Sequence, residues 1–227
     1  MDSDKNNISK QTSCNQCGIC CTKGGAALHS GDLPLLHLKK IPRKDLITIR
    51  KGEFAYNPVT DKVQATNNEI VKLRGTGREW TCCYYDVTSR GCTIYNQRPL
   101  ACRALKCWEP EESLALVESD LLSRFDILEQ DSFLQGLITE YETACPLPDF
   151  TVFFRENKKS AANSLIALEI SVNRDLEFRN RVVRESPLVL QEEMFLFGRP
   201  LFQLLQSFGF LVSQSGNRLC LQRQEKS

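Results

Sequence analysis

The chain has 227 residues, of which 41% are hydrophobic and 25% charged, a balance typical of globular proteins with a buried core. Its 29 basic and 28 acidic side chains leave a net charge of +1, which argues against partners such as nucleic acid or an anionic membrane. The polar N-terminus and the lack of an apolar run near the roughly 20 residues that span a bilayer predict a cytoplasmic protein without membrane segments.

The first predicted elements are short. A helix is expected from Ser30, with Asp32 as its cap and Pro34 in its first turn, and Pro42 should end it. Residues 46–74 alternate short apolar runs with turn residues. This pattern predicts a small layer of β-strands between two groups of cysteines.

The C-terminal half has the apolar spacing of helices. Apolar residues recur every three or four positions over 114–141, which predicts one long helix or two consecutive helices that stop at Cys145. A further helix is expected from about Ser160 to Val183, and Pro187 and Pro200 mark the starts of two shorter helices. A small hairpin is predicted to close the chain.

These elements predict an α+β fold, in which an irregular cysteine-rich region with short strands packs on a mainly helical C-terminal half. Residues 1–110 are expected to form the metal-binding region, with its β insert at 46–74. Residues 111–227 are expected to form the helical region that ends in the hairpin. The two regions should pack together as one unit.

The cysteines are the main functional signal. There are eleven, an odd number with two adjacent pairs, and such clustering in a reducing cytosol is typical of metal ligation rather than disulfides. In the first group, two residues separate successive cysteines, and Gly18 permits the sharp bend that aims the sulfurs at one centre. The candidate metal ligands are Cys14, Cys17, Cys20, Cys21, Cys82, Cys92, Cys102, Cys107 and Cys145.

A set of thiolates with only two histidines selects zinc or iron–sulfur clusters and excludes magnesium, calcium and manganese. The cofactor is therefore predicted to be an iron–sulfur cluster, with 4Fe-4S favoured, or zinc, in a site built across both cysteine groups. Adjacent cysteines are expected to point in different directions, so that one of each pair serves another centre or none. His29 is interpreted as a surface or loop histidine, with an occasional ligand as the alternative. Cys83 and Cys220 are interpreted as buried free thiols.

Two arginines flank the second cysteine group. A four-thiolate zinc or an oxidised four-iron cluster carries a net charge of about −2, which Arg98 and Arg103 would offset while donating to sulfur. The alternative for both is surface salt bridging with the acidic run at 109–112. Pro99 is expected in the first turn of a helix, so that Cys102 lies near a helix N-terminus that stabilises a thiolate.

The motifs resemble a known family. Cys-x-x-Cys-Gly-x-Cys-Cys at 14–21, followed by Gly-Cys-x-Ile-Tyr-x-x-Arg-Pro-x-x-Cys-Arg at 91–103, is similar to the bacterial CxxCxxCC proteins, described as zinc- or iron-chelating. The resemblance covers residues 14–107, and Cys145-Pro146 resembles the Cys-Pro that these proteins often carry downstream. One branch with a similar cysteine motif, the flagellin lysine N-methylases, implies an iron–sulfur cluster.

Three functions follow from these observations. The first is an iron–sulfur or iron-binding protein with a role in redox chemistry or in metal or cluster handling. The second is a zinc-stabilised interaction module, whose helical half binds a protein partner. The third, implied by the resemblance, is a cluster-dependent protein lysine methyltransferase. No Ser–His–Asp set, phosphate loop or nucleotide fingerprint is present, and the question of enzymatic activity stays open.

Overall fold

The computed structural model describes residues 11–77, 79–128, 131–150, 161–186, 189–216 and 218–224, which form an α+β fold. Its helices are Ile19–Thr22 (α1), Leu33–His37 (α2), Leu100–Ala104 (α3), Glu111–Leu114 (α4), Arg124–Ile127 (α5), Ser132–Ala144 (α6), Ala161–Glu185 (α7), Val189–Phe197 (α8) and Leu201–Gln206 (α9). Its strands are Leu46–Ile49 (β1), Phe54–Asn57 (β2), Lys62–Ala65 (β3), Ile70–Leu73 (β4), Gly75–Thr76 (β5), Thr81–Cys82 (β6), Tyr85–Asp86 (β7), Gly91–Cys92 (β8), Phe210–Ser215 (β9) and Arg218–Arg223 (β10). Short 3-10 turns occur at Ser30–Asp32, Arg43–Asp45 and Tyr95–Gln97.

Within these residues the strands pair in antiparallel twos: β1 with β4, β2 with β3, β5 with β6, β7 with β8, and β9 with β10. In the first pair, Leu46 lies opposite Leu73 and Ile49 opposite Ile70. Ala27 adds an isolated bridge to Lys72 on the free edge of β4. The predicted β layer over residues 46–74 is confirmed.

The larger hydrophobic core joins the two halves of the chain. All four residues of β1 are buried, because this strand pairs with β4 and packs against α8. Leu46 and Val71 lie in this core together with Ile138 of α6 and Phe195 of α8. A smaller core lies among α7, α9 and the closing hairpin; its buried residues are Phe150, Leu168, Val172, Leu201, Leu204, Leu205, Phe210 and Leu221. The division of the chain at residue 110 stays a prediction.

Buried arginines link the helices to one another and to β1. Arg124 and Arg50 both donate to the carboxylate of Glu142 on α6. Arg179 on α7 donates to Asp175 at 2.8 Å, and both side chains are almost fully buried. Because a buried charge is stable only when it is paired and hydrogen-bonded, this network fixes how the helices pack.

The prediction of continuous helix over 114–141 is wrong for its first half. The chain between α4 and α5 is not helical, and its backbone is left-handed at Glu118 (φ 61°) and Asp120 (φ 48°). This segment instead runs beside the chain that precedes α2, where the Leu122 amide donates to the Leu28 carbonyl at 3.0 Å. A pairing with residues distant in sequence therefore overrides the local helical spacing.

The other expected elements are confirmed with shifted ends. Pro34 lies in the first turn of α2, α6 stops just before Cys145, and Pro200 caps α9. The long helix and the closing hairpin are present as α7 and β9–β10, whereas Ser160, Pro187 and Asn217 lie outside the described residues. None of the helices described combines the length and the apolarity needed to cross a bilayer.

Candidate metal centre

The first cysteine group turns sharply ahead of α1. Gly18 has φ 77°, and its carbonyl accepts from the amides of Cys21 and Thr22 at 2.8 and 3.0 Å. A Cβ at Gly18 would overlap the ring of Tyr85. The bend therefore requires glycine at this position for two reasons: the backbone is left-handed, and the Tyr85 ring leaves no room for a side chain. Through this contact the β7–β8 hairpin lies directly against the first group.

The chain after α1 then lies on β4. A Cβ at Gly25 would overlap Leu73, and the Leu73 amide donates to the Ala26 carbonyl at 2.9 Å. With this anchor in place, α1 contacts β6, whose second residue is the buried Cys82. Close backbone approach thus carries Cys20 and Cys21 onto the second cysteine group.

Cys92 enters the site from the β7–β8 hairpin. It is paired with Tyr85, the residue whose ring covers Gly18. Asp86 closes the turn by accepting from the Thr88 amide at 2.9 Å, a common use of an aspartate at a turn. The same hairpin therefore positions one thiol and packs on the loop that carries others.

Cys102 is positioned by α3, and α3 by a remote carboxylate. Asp32 is fully buried and accepts from the Leu100 amide at 2.7 Å and from the His29 amide at 3.0 Å. Asp32 is the N-cap residue of α2, as predicted, but its side chain makes no cap bond to that helix. Pro99 precedes α3 as its N-cap rather than lying inside it.

Five thiols from three stretches of the chain interact electrostatically; this five-thiol group is Cys20, Cys21, Cys82, Cys92 and Cys102. Burial, together with neighbouring thiols of the group, raises the pKa of Cys21 and that of Cys102 to about 12 each. Burial also raises the pKa of Cys92, with Cys82 and Cys20 adding to it. Bringing thiolates this close is costly unless a cation lies among them.

Cys82 differs from the other members. A hydrogen bond with the Cys83 side chain is the largest effect on Cys82; with the Tyr84 backbone and the Lys72 ammonium, and against the effect of burial, it lowers the pKa of Cys82 to about 7. The same hydrogen bond raises the pKa of Cys83. Cys82 is therefore the thiol most ready to act as a thiolate.

Cys20 and Cys21 have their sulfurs 3.9 Å apart. Two thiolates bound to one tetrahedral zinc at about 2.3 Å each would be separated by about 3.8 Å. The expectation that adjacent cysteines point in different directions is therefore wrong for this pair. Across the part of the chain that the structure describes, no three His, Cys, Asp or Glu side chains already surround one ion position. The thiols are gathered without forming a complete coordination shell.

No interaction with this group is described for the remaining candidate ligands. Cys14 is half-buried and its sulfur accepts from the Gln16 amide at 3.3 Å, while Cys17 and Cys107 are exposed. Cys145 is buried at the end of α6, where burial raises its pKa to about 11. The charged groups that act on Cys145 are Asp175 and three arginines, and no thiol is among them.

Of the two predicted arginines, the structure brings one to the thiols. The Arg98 guanidinium lies 3.6 Å from the centroid of the Tyr95 ring and donates to the Tyr95 carbonyl at 2.8 Å. In this position it lowers the pKa values of Cys92 and Cys102 against the effect of burial. Arg103 is exposed, and no interaction with a thiol is described for it.

Three residues behave differently from the sequence interpretation. His29 is buried rather than at the surface, and its Nδ1–H donates to the Ser119 carbonyl at 2.9 Å. Asp32 was foreseen only as a local cap, and the sequence contains no signal of its remote role. Lys72 was missed, although a lysine inside the apolar run Ile-Val-Lys-Leu is a signal that could have marked it.

Comparison with known proteins supplies one match. Residues 13–121 match the model of the CxxCxxCC family, described as a "Putative zinc- or iron-chelating domain". The matched range contains all five members of the thiol group, together with Arg98 and Lys72, and excludes Cys145. No curated protein and no solved structure matches the chain significantly.

Proposed function

We propose that the protein, whose residues 13–121 match the model of the CxxCxxCC family, binds iron as an iron–sulfur cluster, with 4Fe-4S favoured, through four thiolates of the five-thiol group. The observation that carries the proposal is the convergence of Cys20, Cys21, Cys82, Cys92 and Cys102 in one place. A donor set made of sulfur alone suits iron–sulfur clusters and zinc.

The number of thiols is sufficient for a cluster. A four-iron cluster takes one thiolate on each iron. The described residues include five interacting thiols, which could supply its four ligands. When bound, a cluster would supply one-electron redox chemistry, and the chain would tune it through burial and nearby cations.

Zinc is the second candidate, and the Cys20–Cys21 separation of 3.9 Å supports it. A zinc ion in this group would replace hydrophobic core in a region whose strand pairs β5–β6 and β7–β8 are only two residues long. The protein would then be a zinc-stabilised interaction module, and its partner would be another protein. Lysine methylation is not part of the proposal, because no observation on the described residues supports it.

The test is anaerobic purification followed by absorption spectroscopy and by elemental analysis for iron, zinc and acid-labile sulfide. We expect a brown protein with a broad band near about 400 nm and with iron and sulfide in equal amounts. A colourless protein that holds zinc would support the second candidate. A protein without either metal, after reconstitution under reducing conditions, would refute both.

Two serine variants sharpen the test. Cys102→Ser should lower the metal content, because the variant removes one thiol of the group. Cys220→Ser is the matched control, since Cys220 lies in β10 opposite Ser213 and no interaction with the five-thiol group is described for it. Equal metal content in both variants would contradict the assignment of the site.

A further inference from the structure

A small cleft lies where the end of α6 meets α7 and the chain that follows β1. Its volume is about 30 Å³, and its polar walls come from Arg50, Tyr141, Cys145, Ser171 and Asp175. We call it the Cys145 cleft. None of the residues that line it belongs to the five-thiol group. The cleft is therefore a feature separate from the candidate metal centre.

The walls of the Cys145 cleft are largely buried. Arg50, Tyr141, Cys145 and Asp175 are all buried, whereas Ser171 is partly exposed. A buried polar group is costly unless it has a hydrogen-bond partner. The hydrogen bonds that these side chains already make therefore decide what the cleft can hold.

Two of the wall residues have hydrogen atoms left to donate. The Arg50 guanidinium donates from Nε to Glu142 at 3.0 Å and from Nη2 to the Cys145 carbonyl at 2.8 Å. Within the described residues, no hydrogen bond involves Nη1 of Arg50, which carries two further N–H groups, or Sγ of Cys145. The cleft is thus lined by donors that have no acceptor in the protein.

The same cleft is lined by acceptors with free lone pairs. The Asp175 Oδ1 accepts from the Tyr141 hydroxyl and from Arg179, but the bond described for Oδ2 is the one from the Leu201 amide at 2.8 Å. A carboxylate oxygen can accept two hydrogen bonds, so Oδ2 has room for another. The Ser171 hydroxyl donates along α7, which leaves its oxygen free to accept.

Size and charge narrow the choice of occupant. A cavity needs about 10–15 Å³ to hold one water, so the Cys145 cleft has room for one or two. The charges in its walls are paired within the protein, Arg50 with Glu142 and Asp175 with Arg179. An ion is therefore not required, and a halide could accept hydrogen bonds but could not donate to Asp175.

We propose that the Cys145 cleft is a binding site for water. One or two molecules accept from Arg50 and Cys145 and donate to Asp175 and Ser171, and they thereby join the end of α6 to α7. The inference goes beyond the proposed function and does not depend on a metal. It gives Cys145, which the sequence predicts as a metal ligand, a role in hydrogen bonding inside the helical half.

The first test compares Cys145→Ser with Cys145→Val in the metal-free full chain by chemical denaturation. Serine keeps a group that hydrogen-bonds to the water, whereas valine leaves the water or its other partners unsatisfied. We therefore expect a higher unfolding midpoint for Cys145→Ser than for Cys145→Val. The opposite order would overturn the inference, because a thiol in apolar surroundings is replaced better by valine than by a hydroxyl.

The same two substitutions at Cys220 are the matched control. Cys220 is half-buried in β10 and does not line the cleft. Because valine favours strands, Cys220→Val should have a higher midpoint than Cys220→Ser, the reverse of the order expected at Cys145. The same order at both positions would overturn the inference, because the preference for serine would then not come from the cleft.

A crystal structure of the full chain tests the site directly. We expect one or two ordered waters within hydrogen-bonding distance of Arg50 and Asp175, both in crystals grown as above and in crystals soaked in bromide. A dry cleft, or an anomalous bromide signal inside it, would overturn the inference. A protein that takes up neither iron nor zinc would remove the proposed function and leave this water site unaffected.

Discussion

The cysteine region and the helical half handle their buried polar groups in opposite ways. In the helical half, Arg124 and Arg179 each meet carboxylates within the protein, at Glu69 and Asp175 among others. In the cysteine region, burial raises the pKa values of three thiols, and neighbouring thiols also raise them. The buried arginines of the helical half are thus neutralised by carboxylates of the protein, whereas the thiols of the cysteine region require a cation.

A bound metal meets this requirement, because its positive charge offsets the charge of the thiolates. Removing the metal should therefore destabilise the cysteine region. Breaking an internal ion pair should destabilise the helical half with or without metal.

The largest expected effect tests the helical half. Arg179→Met leaves Asp175, which is only 1% exposed, without its charged partner. We expect the free energy of unfolding to fall by about 3–5 kcal/mol, the usual cost of breaking a buried pair from one side. Chemical denaturation of the metal-free protein measures it. The metal content of the folded variant should not change.

Arg181→Met is the matched control for this substitution. Arg181 lies on the same helix and pairs with Glu140, but both side chains are substantially exposed. Such a pair contributes less than about 1 kcal/mol. If Arg179→Met cost no more than this control, the helical half would not depend on its internal ion pairs, and the contrast between the two regions would disappear.

The next effect concerns the bend ahead of α1. Gly18→Ala forces a side chain into a left-handed backbone and into the Tyr85 ring, so we expect a loss of about 1–3 kcal/mol and a reduced metal content. Gly52→Ala is the control, because Gly52 also has a positive φ, 87°, but nothing lies within 4 Å of the new Cβ. Normal metal content in Gly18→Ala would show that the Tyr85 contact does not position the thiols.

Local sequence patterns predict much of this fold, because many elements depend on neighbouring residues. The strands of the β insert and the position of Pro34 follow from apolar spacing and from proline geometry. The interruption between α4 and α5 does not, since it arises from pairing of Leu122 with Leu28, far away in the sequence. Apolar periodicity depends on neighbouring residues and cannot reveal such a long-range pairing.

The candidate site likewise has features that the sequence predicts and features that only the fold reveals. The types and spacing of its cysteines predicted thiolate chemistry, which is a property of the residues themselves. The role of Asp32 at α3 depends on a contact 68 positions away. The membership of Cys102 in the thiol group likewise depends on how α3 is docked. Only the assembled fold reveals these relations.

A smaller effect appears in the pH dependence of metal binding. The raised pKa values of Cys21, Cys92 and Cys102 mean that each holds its proton at neutral pH and releases it when it ligates a metal. Cys82, whose pKa is lowered to about 7, releases a proton only below that pH. Affinity should therefore rise with pH, about tenfold per unit for each proton released, and the slope should decrease by one proton above about pH 7.

Zn²⁺ titrations at several pH values measure this slope, with the unfolding midpoint of each sample as a control for intact folding. A slope that stays constant across pH 7 would show that Cys82 is not among the ligands. A slope near zero throughout would mean that no thiol with a raised pKa binds the metal.

The smallest effect is expected at Cys145, the one predicted ligand outside the matched domain. Its charged neighbours are Asp175, Arg174 and Arg179 of the helical half and Arg50, which follows β1, and no thiol is among them. Cys145→Ala should therefore leave the metal content per chain unchanged and lower the free energy of unfolding by about 1 kcal/mol, the cost of a small cavity. If the variant instead lost metal while keeping its stability, Cys145 would be a ligand. The helical half would then share the metal with the cysteine region.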